Sequence, residues 1–185
     1  MAQDGFFLSG NKAALRALRH DDLVALGRWW DDAEVTHLLE MGARPSRDKE
    51  LEAFWRLAAE SDDNVVFAIC DPENGRLLGT CGLYAISWVC RRAQFNILIG
   101  EKNAWDKGVG SDAARIILDY AFAKLNLESV QLGVNAENKR AIASYRKVGY
   151  VHEGTRRRFV YRNGRYYDIE VFSVLRDEYK PMGNS

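Results

Sequence analysis

The strongest constraint on the fold lies between residues 92 and 134, where two strand-like segments flank a glycine-rich loop and a helical segment. RAQFNILI forms the first strand segment, and in SVQLGV the apolar residues Val130, Leu132 and Val134 alternate. From Gly110 to about Leu125, apolar residues recur at helical spacing: Ala113, Ala114, Ile117, Leu118, Ala121, Phe122 and Leu125. A strand, a crossover helix and a second strand predict two parallel strands side by side.

The segments on either side predict helices and antiparallel hairpins. Two amphipathic helices are expected near the start, one after the capping candidates Asp21 and Asp22 and one after Ser46. NVVFAIC, DPENG and RLLGTCGLYAISW read as strand, turn and strand. A short helix over 139–148 and a hairpin turning at Asn163-Gly164 complete the chain. We therefore predict an α+β fold with a mixed, mostly antiparallel sheet.

Composition limits the domain organisation and the partners. With 185 residues, 47% of them hydrophobic, we expect a single domain over 1–185 with a frayed tail at about 181–185. The formal net charge is zero, so neither nucleic acid nor a membrane surface is an expected partner. No apolar segment approaches the length of a membrane span, and Cys70, Cys81 and Cys90 lack C-x-x-C spacing. We expect buried thiols in a cytoplasmic protein.

DKGVGS, at the start of the central helix, is a candidate phosphate site. The first amides of a helix lack intrahelical partners and carry partial positive charge, while Gly108 and Gly110 let a ligand approach closely. An ordinary glycine-rich turn is one alternative. A dinucleotide fingerprint is another, because Ala113 continues the glycine pattern and Glu128 follows at about 20 residues. A dinucleotide-binding fold requires repeated βαβ units, and the hairpin-rich first half of the chain argues against them.

A second pattern lies in NAENKRAIASYRKVGYVHEG. Asn138 and Tyr145 are seven residues apart and project from one side of a helix, so both can face one ligand. Asn138 can also cap its helix, and Tyr145 can equally be a core residue.

DKGVGSDAARIILDYAF followed by NAENKRAIASYRKVGYVHEG resembles the coenzyme-binding core of the GNAT superfamily of N-acetyltransferases. RRAQFNILIG, YRKVGY and FVYRNGRYYDIEVFSV are similar to the branch with spermidine acetyltransferases and ribosomal-protein N-terminal acetyltransferases. The resemblance spans roughly residues 65–175. It implies acetyl-CoA as cosubstrate and a central parallel strand pair that splays apart to admit the pantetheine arm.

The resemblance also assigns residues. In the family pattern Q/R-x-x-G-x-G/A this chain has Trp105 at the first position, followed by Asp106, which should point outward. Asn138 would contact the cofactor, and Tyr145 would lie near its sulfur. The coenzyme-binding set implied is Ile97, Leu98, Ile99, Lys107, Gly108, Val109, Gly110, Ser111, Asn138 and Tyr145.

The expected chemistry is direct attack of an amine on the thioester. A primary amine has a pKa of about 10.4, so deprotonation near pH 7 costs about 4 kcal/mol and requires a base or a water path. Tyr145 is the candidate general acid, and the Leu98 or Ile99 amide the candidate oxyanion donor. Gln94 stands where relatives similar to spermidine acetyltransferase often have Glu. We place Glu40 in the catalytic set, with His37 and Glu34 as alternatives.

Several alternatives stay open. A non-catalytic acyl-CoA-binding module would retain the loop without needing Tyr145. The acceptor can be a protein N-terminus, a polyamine, an amino sugar or an antibiotic amine, and the run Arg156, Arg157 and Arg158 could recognise an anionic acceptor. The isolated His20, His37 and His152 predict no metal site. The aromatic YRNGRYY and RWW segments make a homodimer possible.

Overall fold

The computed structural model describes residues 5–181. The strands in this part of the chain are β1 (Leu8–Ser9), β2 (Ala14–Ala17), β3 (Val65–Cys70), β4 (Leu77–Ser87), β5 (Arg92–Ile99), β6 (Ser129–Asn135), β7 (Val151–Arg162) and β8 (Arg165–Leu175). The α-helices are α1 (Leu23–Trp30), α2 (Ala33–Thr36), α3 (Asp48–Glu60), α4 (Val109–Ala123) and α5 (Lys139–Val148).

The strands form one mixed sheet in the order β1-β2-β3-β4-β5-β6-β8-β7. Neighbours pair antiparallel except β5 and β6, which are parallel and are connected through α4. The α+β class and the mostly antiparallel sheet with one central parallel pair are confirmed.

Local signals explain where the two helices nearest this pair begin and end. Gly108, with φ at 83°, precedes α4 in a left-handed conformation that glycine adopts without strain. Asn138 caps α5, its side-chain oxygen accepting a hydrogen bond from the Ala141 amide at 3.0 Å. Gly149 ends α5 with φ at 114°. The chain therefore turns sharply just before α4, at Gly108, and just after α5, at Gly149.

Helices cover both faces of the sheet. On one face, α4 and α5 pack against a large core that includes Phe95, Ile117 and Phe172. On the other face a smaller cluster forms around Leu26 and Trp29 of α1, with α3 packed against it. The central strands therefore have one side facing α4 and α5 and one side facing the N-terminal helices.

Most of the expected elements are present, with four differences. The strands β1 and β2 and the one-turn helix α2 were not expected. Asp22 stands at the start of α1, but its carboxylate accepts hydrogen bonds from Arg16 and the Arg19 amide instead of capping that helix. The expectation of three buried thiols is wrong for Cys90, which lies exposed in the turn between β4 and β5. Residues 182–185 of the expected frayed tail lie outside the described residues.

A candidate active site between diverging strands

The central parallel strands separate after three residue pairs. Arg92–Gln94 of β5 pairs with Ser129–Gln131 of β6, and the pairing then stops. Beyond that point β5 continues along β4 as far as Ile99, while β6 continues along β8 as far as Asn135. The divergence opens a cleft of about 910 Å³. The predicted splay of the central pair is present.

The glycine-rich loop forms one end of this cleft. Gly108, Val109, Gly110 and Ser111 line it, together with the first turn of α4. A Cβ placed on Gly110 would meet nothing closer than Ile99 Cγ1 at 3.9 Å. The face above the first amides of α4 is therefore open, as a phosphate site requires. Lys107 is exposed beside the loop and does not line the cleft.

Trp105 and Arg140 organise the loop in a way that the sequence did not predict. The Trp105 indole N–H donates to the Ile99 carbonyl at 2.8 Å, which ties the loop to the end of β5. The Arg140 guanidinium lies 4.8 Å from the centroid of that indole and 3.4 Å from the Asp106 carboxylate. Asp106 also lines the cleft, but its side chain is 72% exposed. Its charge therefore faces solvent and Arg140, which reduces its repulsion of a phosphate.

Helix α5 supplies the other coenzyme-side wall. Asn138 and Tyr145 both line the cleft, as their spacing predicted. The hydroxyls of Ser111 and Ser144 lie 2.7 Å apart and link α4 to α5 beside the loop. The Tyr145 ring packs edge-on against Phe95 and Tyr150. Burial raises the pKa of Tyr145 to about 12, so its phenol is neutral at physiological pH.

The opposite wall of the cleft carries the three candidate bases. Glu34 accepts from Lys102 Nζ at 2.7 Å, and His37 Nδ1 lies 2.8 Å from the Glu34 carbonyl oxygen. Glu40 lines the cleft, and no hydrogen bond or ion pair within residues 5–181 engages its carboxylate. Glu40 is thus the freest of the three carboxylate or imidazole groups to act on an incoming amine.

A buried arginine from the far edge of the sheet holds this wall in place. Arg162, at the end of β7, donates to the Thr36 carbonyl at 3.1 Å and also to the Met41 carbonyl. These two carbonyls bracket the segment that contains His37 and Glu40. No sequence pattern predicts this contact, because the partners are more than 100 residues apart and the acceptors are backbone atoms.

Strand register places Tyr84, Asn96 and Gln131, which sequence reasoning missed, beside Gln94. Tyr84 lies directly opposite Gln94, and Gln94 directly opposite Gln131. Residues paired in this way share a face of the sheet, and alternation places Asn96 on that face too. All four line the cleft on the side of the N-terminal helices. Alternation along RAQFNILI could have singled out Asn96.

Residues 12–151 match the acetyltransferase (GNAT) domain family. The chain belongs to the GNAT acetyltransferase family. An uncharacterized N-acetyltransferase, p20, of Bacillus licheniformis is 30% identical over 172 residues, covering 91% of this chain and 95% of the relative. The spermidine N(1)-acetyltransferase of Vibrio cholerae is 31% identical over 169 residues, with 91% and 96% covered.

The GNAT assignment extends to three-dimensional structure. The crystal structure of Vibrio cholerae spermidine N-acetyltransferase in complex with CoA and spermine superposes with a TM-score of 0.83 at 27% identity, covering 92% of this chain and 99% of that one. The chain is therefore an acetyl-CoA-dependent N-acetyltransferase. The dinucleotide alternative is wrong, because the described sheet has one parallel pair instead of repeated βαβ units.

Among residues 5–181, no helix is both long and apolar enough to cross a membrane, and no three His, Cys, Asp or Glu side chains are grouped as metal ligands. The homodimer and the cytoplasmic location stay predictions.

Proposed function

We propose that this GNAT enzyme transfers the acetyl group to a primary amine by direct attack, with both substrates bound in the cleft between β5 and β6. One observation carries the proposal. The phosphate loop and Tyr145 lie on the α4 and α5 side of the divergence, while Glu40 lies on the N-terminal side of the same opening. Two substrates can therefore meet between the strands without a covalent enzyme intermediate.

Backbone amides of the loop would hold the pyrophosphate. The open amides at the start of α4 and the clear space above Gly110 fit this group, and Lys107 adds charge at the rim. Asn138 has its carbonyl oxygen occupied by the Ala141 amide, which leaves its NH2 group for the coenzyme. The pantetheine arm would run between the strands along Ile97, Leu98 and Ile99.

The peptide orientation in β5 favours the Ile99 amide over the Leu98 amide as oxyanion donor. The Gly100 amide donates to Leu78 of β4 at 3.0 Å, and the Leu98 carbonyl lies against Gly79 of β4. Backbone polar groups alternate in direction along a strand, so those of Ile99 point away from β4. The Ile99 carbonyl already meets Trp105 on that side. Its N–H can meet the charge that develops on the thioester oxygen.

Tyr145 would deliver the proton that the departing sulfur needs. The C–N bond forms as the amine attacks, the C–S bond then breaks, and sulfur leaves as a thiol after taking the phenolic proton. The surplus proton of the attacking nitrogen restores the phenol, so the enzyme ends neutral at this position. Because burial raises the pKa of Tyr145 to about 12, the phenol is protonated at neutral pH and has a proton to give.

Glu40 would activate the amine. An ammonium group cannot attack, and removing its proton near pH 7 costs about 4 kcal/mol. Glu34 is less suited because Lys102 holds its carboxylate. Gln94 cannot accept a proton usefully, so the carboxylate must come from the N-terminal wall. Relatives named as spermidine acetyltransferases make polyamines one acceptor class to test, beside peptide N-termini, amino sugars and aminoglycosides.

The test is free-thiol release from acetyl-CoA with each of these amines, for the wild type and Tyr145→Phe. We expect the substitution to lower kcat by about 100-fold to 10,000-fold, the usual worth of a positioned acid. Binding of acetyl-CoA, measured by calorimetry, should stay unchanged. Tyr120→Phe is the matched control, because Tyr120 is a half-buried tyrosine that packs on Phe7 and Phe67 away from the cleft. Equal kcat for Tyr145→Phe and Tyr120→Phe would rule out the proposed role.

A further inference from the structure

The sheet wall on the acceptor side of the cleft carries amides and hydroxyls but no carboxylate among the described lining residues. Its polar uncharged members are Thr80, Tyr84, Gln94, Asn96, Gln131 and Asn135. The carboxylates on the facing wall are Glu34 and Glu40, and Glu34 already pairs with Lys102. A polyamine with three or four positive charges would leave most of them uncompensated here. The wall instead offers donors and acceptors suited to neutral polar groups.

Arg156 is the cationic group of this wall. It pairs with Ile169 of β8, which in turn pairs with Asn135 of β6, so Arg156 shares the acceptor face and lines the cleft. Its guanidinium lies 5.2 Å from the centroid of the Phe159 ring, and no carboxylate in residues 5–181 pairs with it. Arg157 is exposed and does not line the cleft. Arg156 is exposed too, so its place in the lining of the cleft is what distinguishes it from Arg157.

We propose that the acceptor is a primary amine that also carries a carboxylate, and that Arg156 binds the carboxylate. The inference rests on the proposed function and adds the substrate class. A planar guanidinium can donate two parallel hydrogen bonds to a carboxylate. Stacking on Phe159 already restricts the Arg156 side chain, so less conformational freedom is lost when the carboxylate binds. Glu40 on the facing wall takes the amine end. The positive amine of the acceptor thus faces Glu40, and its negative carboxylate faces Arg156.

The experiment compares two peptide acceptors that differ only in charge, Gly-Glu-amide and Gly-Gln-amide, with spermidine as a third acceptor. For the wild type we expect kcat/KM to be about 10-fold to 100-fold higher for the Glu peptide, the usual worth of a hydrogen-bonded charge. The difference should lie in KM, because the carboxylate does not react. Arg156→Gln should remove the preference, and Arg156→Glu should reverse it. Arg157→Gln is the matched control and should keep it.

The outcomes separate this inference from the function on which it rests. A Glu-to-Gln ratio that is the same in the wild type and Arg156→Gln, or a wild type that prefers spermidine to both peptides, would overturn the inference and leave the acetyltransferase in place. Absence of thiol release with every amine, although acetyl-CoA binds, would overturn the proposed function itself. If the preference for the Glu peptide disappears in both Arg156→Gln and Arg157→Gln, it arises from the overall positive charge of this strand. That result would also overturn the specific role of Arg156.

Discussion

Replacing Arg162 by methionine should weaken the fold and acceptor binding while leaving coenzyme binding intact. Methionine retains most of the apolar stem but removes the hydrogen bonds to the Thr36 and Met41 carbonyls. Hydrogen bonds to a charged group are worth about 1.5–3 kcal/mol each. Thr36 is 2% exposed, and its carbonyl keeps only the hydrogen bond from the Leu39 amide, whereas Met41 is 36% exposed and its carbonyl regains water. The expected loss is about 1.5–3 kcal/mol in the free energy of unfolding, the worth of one hydrogen bond to a charged group.

Urea unfolding followed by tryptophan fluorescence measures this loss, and thiol release measures its consequence. The segment with His37 and Glu40 loses its anchor, so KM for the amine should rise while the Kd of acetyl-CoA stays unchanged, because the phosphate loop is attached elsewhere. Arg157→Met removes an exposed arginine from the same strand and should change stability by less than about 0.5 kcal/mol. Unfolding of Arg162→Met and Arg157→Met at the same urea concentration would contradict a stabilising role for the Arg162 hydrogen bonds.

Two further predictions concern the coenzyme side of the cleft. Gly108→Ala should lower the free energy of unfolding by about 1–2 kcal/mol, because φ at 83° is strained for a residue with a Cβ. Gly108→Asn should lower it by less, because asparagine tolerates the left-handed conformation better. Urea titrations in which the alanine variant is at least as stable as the asparagine variant would contradict this. Spectroscopic titration of tyrosinate should show that Tyr145→Phe removes a phenol that ionises near pH 12, where a free tyrosine ionises near about 10. Because the folded pKa is the higher one, the stability that neutral Tyr145 contributes is complete below about pH 10 and is lost as the pH rises through 12.

The parts of the fold that follow local rules could be predicted from the sequence. The helix over 139–148 has a capping asparagine, an apolar face and a terminal glycine, and its bounds are as predicted. The Asn163-Gly164 turn likewise occurs where both residues have positive φ. Strands β1 and β2 escaped prediction because LSGNKAALRA has little β-branched content, and tertiary pairing with β3 decides their conformation.

Some residues of the candidate site could likewise be predicted from the sequence, and others could not. The loop and the pair Asn138 and Tyr145 are placed by glycines and by helical spacing, which are visible in the sequence. The approach of Arg162 to the Thr36 carbonyl and of Arg140 to Trp105 depends on strand order and helix packing, which single-sequence patterns do not specify. The position of Arg156 required the registers of β6, β7 and β8 before its face could be assigned.

The central claim is that the coenzyme binds in the cleft between β5 and β6, with its pyrophosphate at the start of α4. Amide hydrogen exchange of the wild type, with and without saturating CoA, tests it most directly. We predict slower exchange in two segments at once, 108–111 at the start of α4 and 97–99 at the end of β5, with exchange in β1 and β2 unchanged. Slower exchange confined to other parts of the chain, with both segments unaffected, would contradict the account.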